Sequence, residues 1–512
     1  MNKWPVFCLA LSAFLVPTAG AAGQDVQAGQ ILYDKWCAGC HGFDGAGDGY
    51  AADYMLPRPR DFTLGIYQIR TTSNGSLPTD EDLVHVIDKG MPGTAMPGWE
   101  SKFSSSQIND VAAYIKTFSP FFEREGAPDP LEFGRQPRRE GIAEGREFFE
   151  QIECFKCHGD AGRGDGPSAP TLQDDLDFPI RAADLTENWN FNGGGSVEDI
   201  YRRLRTGMDG SPMPSFSDLI DAQFMTEEQL WHVAQYVHSL SPEEGPTISD
   251  VIVARRFEGD LPASPNDSLW NQAEAFYIPM VGQIIADERW FAPSVDGLWV
   301  SAAHNDEQLA LLIVWHDPSE SPDPKWLEWQ QSVAASMFPL LDSVGVTPLP
   351  DRLTVQFPIS IPTGRDRPYF LMGDARNPVY LWQWSSQGDV VPEATATGLG
   401  NVQPRRGESR TLASSAVWQQ GEWRLQFGRS LATPDSEAEL QFATGELIPI
   451  AFYAWDGSNG EQGSQRAVSS WYGIHLEQPT PPSVYLSPVI AMALTVGLGL
   501  LVVWRAQRRE EG

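Results

Sequence analysis

The sequence is poor in positive charge. Of 512 residues, 36 are Lys or Arg against 68 Asp or Glu, a formal net charge of −32. Duplex nucleic acid is bound through a basic face, so the balance excludes DNA and RNA as partners. A basic soluble partner fits better, although acidity alone reports only solubility and a repulsive surface. Cysteine is rarer still: there are five, and Cys8 lies inside an N-terminal apolar run. Apolar side chain is plentiful, with 41% hydrophobic residues and 18 Trp. That supports several packed cores and argues against wholesale disorder. At roughly 100–200 residues per domain, the length allows about three domains.

Both ends carry membrane signals. The opening MNKWPVFCLALSAFLVPTAGAAGQ has Lys3, an apolar run from Trp4 to Pro17 and the small-residue site Ala19-Gly20-Ala21. This pattern predicts a secretory signal peptide over residues 1–22, cleaved after Ala21 or Ala22, and Cys8 would leave with it. Near the other end, residues 484–504 carry no charge over a length sufficient to cross a bilayer once. Arg505, Arg508 and Arg509 follow, which predicts a cytoplasmic tail at 505–512. The expectation is a single-pass protein of the cell membrane, tail-anchored, with its bulk facing the periplasm.

The four remaining cysteines stand as Cys37-Ala38-Gly39-Cys40-His41 and Cys154-Phe155-Lys156-Cys157-His158. The pattern C-x-x-C-H is the attachment site for c-type haem. Two thiols one helical turn apart can form thioethers to the two vinyl groups of one porphyrin, and the adjacent His can reach the iron. A thioredoxin-like pair does not need the His, and a zinc site would want further ligands at finger spacing, which are absent. The reading is two haem c groups, with Cys37, Cys40, Cys154 and Cys157 as attachment residues and His41 and His158 as axial ligands.

An internal repeat supplies the opposite ligands. A shift of 117 residues places Cys37 on Cys154, Gly47-Asp48-Gly49 on Gly164-Asp165-Gly166, and Gly90-Met91 on Gly207-Met208. The methionine segments align as GMPGTAMPGW and GMDGSPMPSF. Met91 and Met96 are both followed by Pro, but in the second copy only Met213 is, and Met213 aligns with Met96. The axial pairs are therefore read as His41/Met96 and His158/Met213, and Met91 and Met208 as packing residues. Amphipathic segments follow, SSQINDVAAYIKTF and TEEQLWHVAQYVHSL, the second opening with a Thr226–Gln229 capping box. His232 and His238, on or near it, are read as packing or surface residues.

These features resemble two class I cytochrome c domains in tandem, over residues 24–120 and 138–242, joined by a Pro- and charge-rich linker at 121–137. The resemblance implies small helical domains with six-coordinate haem and no open iron position, hence electron transfer without substrate chemistry. Thioether ligation raises the reduction potential relative to two nitrogen ligands. A dihaem peroxidase would need an open position, and the presence of both Met96 and Met213 argues against it.

From 250 to 478 the helical pattern fades. Short β-rich runs such as GLWVSAAH (297–304), LTVQFP (353–358) and VYLWQW (379–384) alternate with turn residues, which suggests an all-β antiparallel sandwich. No cysteine and no catalytic pattern occur there. Three segments, DRLTVQFP (351–358), PYFLMGDARNPVYLWQW (368–384) and AFYAWDGSNGEQGSQRAVSSW (451–471), resemble the haem-binding domain of the ethylbenzene dehydrogenase family. In that family a b-type haem is held between a Met and a Lys, and the domain also forms the gamma subunit of related periplasmic molybdenum enzymes. The Met maps onto Met372, but the Lys position carries Arg466, whose guanidinium is a poor iron ligand. The only Lys of the domain, Lys325, lies in a turn-like stretch, and His304, His316 and His475 read as strand or turn residues. The expectation is a domain that keeps the fold without haem b.

The whole sequence reads as two all-α cytochrome c domains, an all-β domain and one transmembrane helix. Its expected task is to relay single electrons between a membrane respiratory complex and a periplasmic redox partner. The alternative is a gamma-like subunit of a molybdenum oxidoreductase, with Met372 holding a haem b. A carbohydrate- or ligand-binding role would need an aromatic groove near Trp382 and Trp384.

Overall fold

The computed structural model describes residues 24–126, 128–337, 347–362, 367–405, 412–435, 437, 439–478 and 482–510. The expected signal peptide and Cys8 lie outside the described residues. The chain divides into two compact units. One comprises Met1–Ala52, Pro59–Met91 and Met96–Glu132; the other comprises Asp53–Arg58, Pro92–Ala95 and Phe133–Gly512.

The first unit is helical: α1 (Val26–Trp36), α2 (Ala38–His41), α3 (Asp80–Lys89), α4 (Ser105–Lys116) and α5 (Pro120–Arg124). Its helix starts are written into the sequence. Asp25 caps α1, and reciprocal capping boxes start α3 (Thr79 with Asp82) and α4 (Ser104 with Gln107). Helices α1 and α4 cross at Gly29, where a Cβ would stand 2.0 Å from the carbonyl oxygen of Asp110. The core around Tyr33, Leu83, Ile108 and Val111 fills the angle between them.

The second unit opens with the same plan: α6 (Ile142–Gln151), α7 (Phe155–His158), α8 (Val197–Thr206), α9 (Ser217–Asp221) and α10 (Glu227–Ser239). Here Gly145 makes the close crossing, and a Cβ would lie 2.0 Å from the carbonyl oxygen of His232. Thr226 and Gln229 form the capping box the sequence predicts. His232 is buried in this crossing, as its packing role requires.

The remainder of that unit is a β domain. Its strands are β1 (Val251–Arg256), β2 (Ala275–Pro279), β3 (Val281–Gly282), β4 (Gly297–His304), β5 (Gln308–His316), β6 (Arg352–Pro358), β7 (Val379–Ser385), β8 (Glu393–Ala396), β9 (Val402–Pro404), β10 (Ala413–Gln419), β11 (Glu422–Ser430), β12 (Leu447–Trp455), β13 (Ala467–Val468) and β14 (Tyr472–Leu476). The strand order is β10-β11-β5-β4-β1-β14-β12-β6-β7-β8-β9. Strand β12 belongs to both halves: Leu447–Ile450 pair with β14, and Ala451–Trp455 pair with β6. One core lies between the halves, with Val300, Leu311 and Leu425 from one and Val355, Phe357 and Trp382 from the other.

Two pairings depart from the antiparallel expectation: β1 runs parallel to both β4 and β14. Long connections reach it from both neighbours, which lets the chain return in the same direction. The helical pattern also does not vanish, because α11 (Leu327–Met337) buries Trp329, Val333 and Met337 along one face. Finally, α12 (Pro482–Glu510) holds an apolar stretch, Leu486–Gln507, with mean hydropathy 2.3 and no buried surface, long enough to span a membrane.

Candidate functional site

Helix α1 ends at Cys37, and the chain turns directly into α2. The amides of Cys40 and His41 both donate to the Cys37 carbonyl, at 3.1 and 3.0 Å. One turn therefore carries both thiols and the imidazole. In the second copy the Cys157 and His158 amides donate to the Cys154 carbonyl at 3.2 and 3.0 Å. Each turn stops at a glycine in the left-handed region, Gly42 (φ +76°) and Gly159 (φ +77°). A Cβ there would also strike the carboxylate of Asp48 or Asp165.

Each imidazole is oriented from behind. His41 Nδ1 lies 3.1 Å from the Arg60 carbonyl oxygen, and His158 Nδ1 lies 3.0 Å from that of Ala183. Donation from Nδ1–H fixes the tautomer and leaves Nε2 with a free lone pair, the arrangement of metal-binding histidines. Burial holds both imidazoles below their ordinary pKa, so they are neutral at pH 7. Phe62 stacks on His41, with centroids 4.6 Å apart. Leu185 occupies the equivalent place after Ala183 and has no ring to stack.

The four cysteines form no disulfide. Burial pushes the Cys37 and Cys154 thiols up to about 12, and raises Cys40 and Cys157 as well. A dithiol redox centre requires the opposite, a stabilised thiolate. Unpaired thiols and a carbonyl-anchored neutral imidazole on one turn fit covalent haem c.

Helices α3 and α8 end at Gly90 and Gly207, both with positive φ, and deliver the chain into the methionine segments. In both copies the first methionine amide donates to the carbonyl of the second: Met91 to Met96 at 3.1 Å, and Met208 to Met213 at 3.1 Å. Met96 and Met213 are half-buried, and Met213 packs against the core of its domain.

Sequence reasoning missed the carbonyl loops behind the histidines. Asp61-Phe62-Thr63 and Asp184-Leu185-Thr186 share one turn, in which Thr63 and Thr186 donate N–H and O–H to the aspartate. The positions are 123 residues apart, against 117 for the methionines, so a fixed shift passes over them.

The third predicted site behaves differently. Met372 (φ +61°) and Arg466 are both buried, and Arg466 Nη1 donates to Met372 Sδ at 3.9 Å. They line a cavity of about 250 Å³, below the roughly 300–1,000 Å³ of ligand pockets for drug-sized molecules. Burial lowers Arg466 to about 10, which still leaves it protonated at pH 7. A protonated guanidinium already resting on the sulfur does not fit a haem b. Lys325 is exposed on its turn and His304 is fully buried between the Asn305 and Glu477 carbonyls, so neither supplies the missing ligand. Trp382 is core, and Trp384 packs against it.

Comparison with known proteins agrees with the reading of two cytochrome c domains followed by an ethylbenzene dehydrogenase-type domain. Residues 24–115 match the family described as cytochrome c oxidase, cbb3-type, subunit III, residues 142–241 match cytochrome c, and residues 267–389 and 386–467 match ethylbenzene dehydrogenase. The chain is 27% identical over 252 residues to ORF7 of Haloferax mediterranei, assigned as a respiratory nitrate reductase heme subunit; the match covers 49% of this chain and 82% of that relative. It is 24% identical over 238 residues to the dimethylsulfide dehydrogenase subunit gamma of Rhodovulum sulfidophilum, covering 43% and 78%. Among solved structures, a chain of the reducing HAO-like protein complex of Kuenenia stuttgartiensis is 42% identical, covering 42% of this chain and 96% of that one, with a TM-score of 0.40.

Fold and site together define a membrane-anchored c-type cytochrome. Its own composition is two cytochrome c domains, which imply two covalently bound haem c groups, followed by an ethylbenzene dehydrogenase-type domain and one apolar C-terminal helix.

Proposed function

We propose that the protein relays single electrons between a membrane respiratory complex and a redox partner on the periplasmic side. The carrying observation is the pair of C-x-x-C-H turns, each with its His Nδ1 fixed on a backbone carbonyl. Haem c, when bound, supplies one-electron iron chemistry. The chain does the rest. Cys37 with Cys40, and Cys154 with Cys157, hold the two groups covalently. His41 and His158 present Nε2, and Met96 and Met213 present thioethers from the loops after α3 and α8. A haem c held on each turn would take its iron ligands from these side chains, which would leave no position open to substrate.

The apolar helix tethers the haem domains near membrane complexes and raises their effective concentration there. Arg505, Arg508 and Arg509 at the end of the apolar helix, with the expected N-terminal export signal, support a periplasmic orientation.

A second reading has its own support. The names of the Haloferax and Rhodovulum relatives describe oxidoreductase subunits. On that reading this chain is the haem subunit of a larger oxidoreductase, a gamma-like partner of a molybdenum enzyme, and co-purifies with catalytic subunits. The experiment that tests the relay is exposure of the reduced protein to peroxide and to cyanide. Unchanged ligation with no peroxide turnover is expected; turnover of peroxide overturns the relay.

A further inference from the structure

Away from the haem turns, three carboxylates are gathered with no surface exposure. Asp317 follows β5, Asp351 precedes β6 and Asp456 follows β12, and each is 0% exposed. Each offers an oxygen, and these oxygens all lie within 4.8 Å of one another. Asp351 is held by N–H groups: Gly457 donates to Oδ1 at 2.9 Å, and Ser321 and the Trp423 indole donate to Oδ2 at 2.7 and 3.0 Å. Asp456 Oδ1 accepts from the amides of Ser458 and Asn459, and Oδ2 accepts from the Ser294 hydroxyl. Asp317 Oδ1 accepts from the Ser319 amide at 3.1 Å, while its Oδ2 has no partner.

The charges do not close among these groups. Ionised, as cation ligands are, the three carboxylates carry −3. Arg181, with Nη2 3.6 Å from Asp456 Oδ2, is the one cation in ion-pair range among the described residues. Buried charge is tolerated when paired or when it coordinates a metal.

We propose that Asp317, Asp351 and Asp456 form a structural site for one calcium ion. A divalent cation offsets two of these three charges, and Arg181 faces the third at Asp456. The donor set is all oxygen, which selects a hard cation over zinc or copper. Calcium–oxygen distances of about 2.3–2.6 Å put opposite ligands about 4.6–5.2 Å apart, and the observed spread fits inside that shell. Magnesium dehydrates reluctantly and keeps several waters, which a fully buried site does not favour. The unpartnered Asp317 Oδ2 is the oxygen the ion satisfies. The site ties together three segments distant in sequence, and Arg181 extends the tie to the loop whose Ala183 carbonyl receives His158 Nδ1.

The test is metal analysis of the full-length protein in detergent, after dialysis against calcium-depleted buffer. About one calcium per chain is expected, with a melting temperature lowered by EDTA and restored by calcium but not by magnesium at equal concentration. Asp317→Asn should weaken calcium binding at least about tenfold, the size of effect that outer-shell changes already produce. The wild-type measurement stands even where that variant fails to fold. No bound calcium with melting indifferent to EDTA, or equal calcium binding by folded Asp317→Asn, overturns the site. Haem content is read separately, so loss of calcium is not confused with failure of the haem assignment.

Discussion

Met208 donates its backbone N–H to the carbonyl of Met213 at 3.1 Å, and the bond recurs between Met91 and Met96 at the same distance. Each bond closes a short loop around the methionine segment, so the second methionine of each copy is presented from an equivalent backbone frame. The repeat of the two methionine segments thus has a structural counterpart in the main chain, and the choice of Met96 over Met91 rests on the sequence pattern.

Replacing that second methionine should therefore affect one haem at a time. Met213→Ala is expected to lower the midpoint potential of the second haem and leave the first unchanged. The shift should fall within the ~0.8 V over which axial ligands set haem potentials. A spectroelectrochemical titration reads it, with covalent haem content unchanged as the control. Two unaltered midpoints would remove Met213 from the ligand set.

The close crossing of α6 and α10 makes Gly145 sensitive. Gly145→Ala places a methyl 2.0 Å from the His232 carbonyl oxygen. Forcing the helices apart should cost about 1–3 kcal/mol, seen as a lower melting temperature for the second haem domain. Gly29→Ala should do the same in the first domain, at Asp110.

Between the second haem domain and the β domain, burial, with Asp296 and Asp184 adding repulsion, raises Glu187 to about 8. A carboxyl whose folded pKa exceeds its unfolded value contributes stability that is fully present below about 4.5 and lost as pH rises through about 8. Melting temperature should fall over that window, and Glu187→Gln should flatten the fall. The effect is no more than a few kcal/mol, because Glu187 keeps some solvent exposure. Equal slopes for wild type and variant would show that Glu187 is ionised throughout.

Met372→Ala should destabilise the β domain by about 2–5 kcal/mol, as truncation of a buried methionine does. It should not change the number of haems per chain. A haem lost in this variant would reverse the reading of the Met372–Arg466 contact.

What was legible in the sequence was local. C-x-x-C-H needs only five consecutive residues, the capping boxes four, and the membrane helix one continuous apolar run. The methionines were recovered because their spacing from the histidine survives in both copies. The carbonyl loops behind His41 and His158 were not, since insertion between the Cys turn and Asp184 breaks that spacing. The face of α11 was also present, at Trp329, Val333 and Met337, but was masked by the turn-rich residues before it. Parallel pairing of β1, and the meeting of Asp317, Asp351 and Asp456, depend on chain return over long separations that no local pattern encodes.

The most direct measurement is a pyridine haemochrome on the detergent-purified protein, paired with acid–acetone extraction. The account predicts two covalent c-type haems per chain and none extracted. A single covalent haem, or an additional extractable haem b, would contradict it.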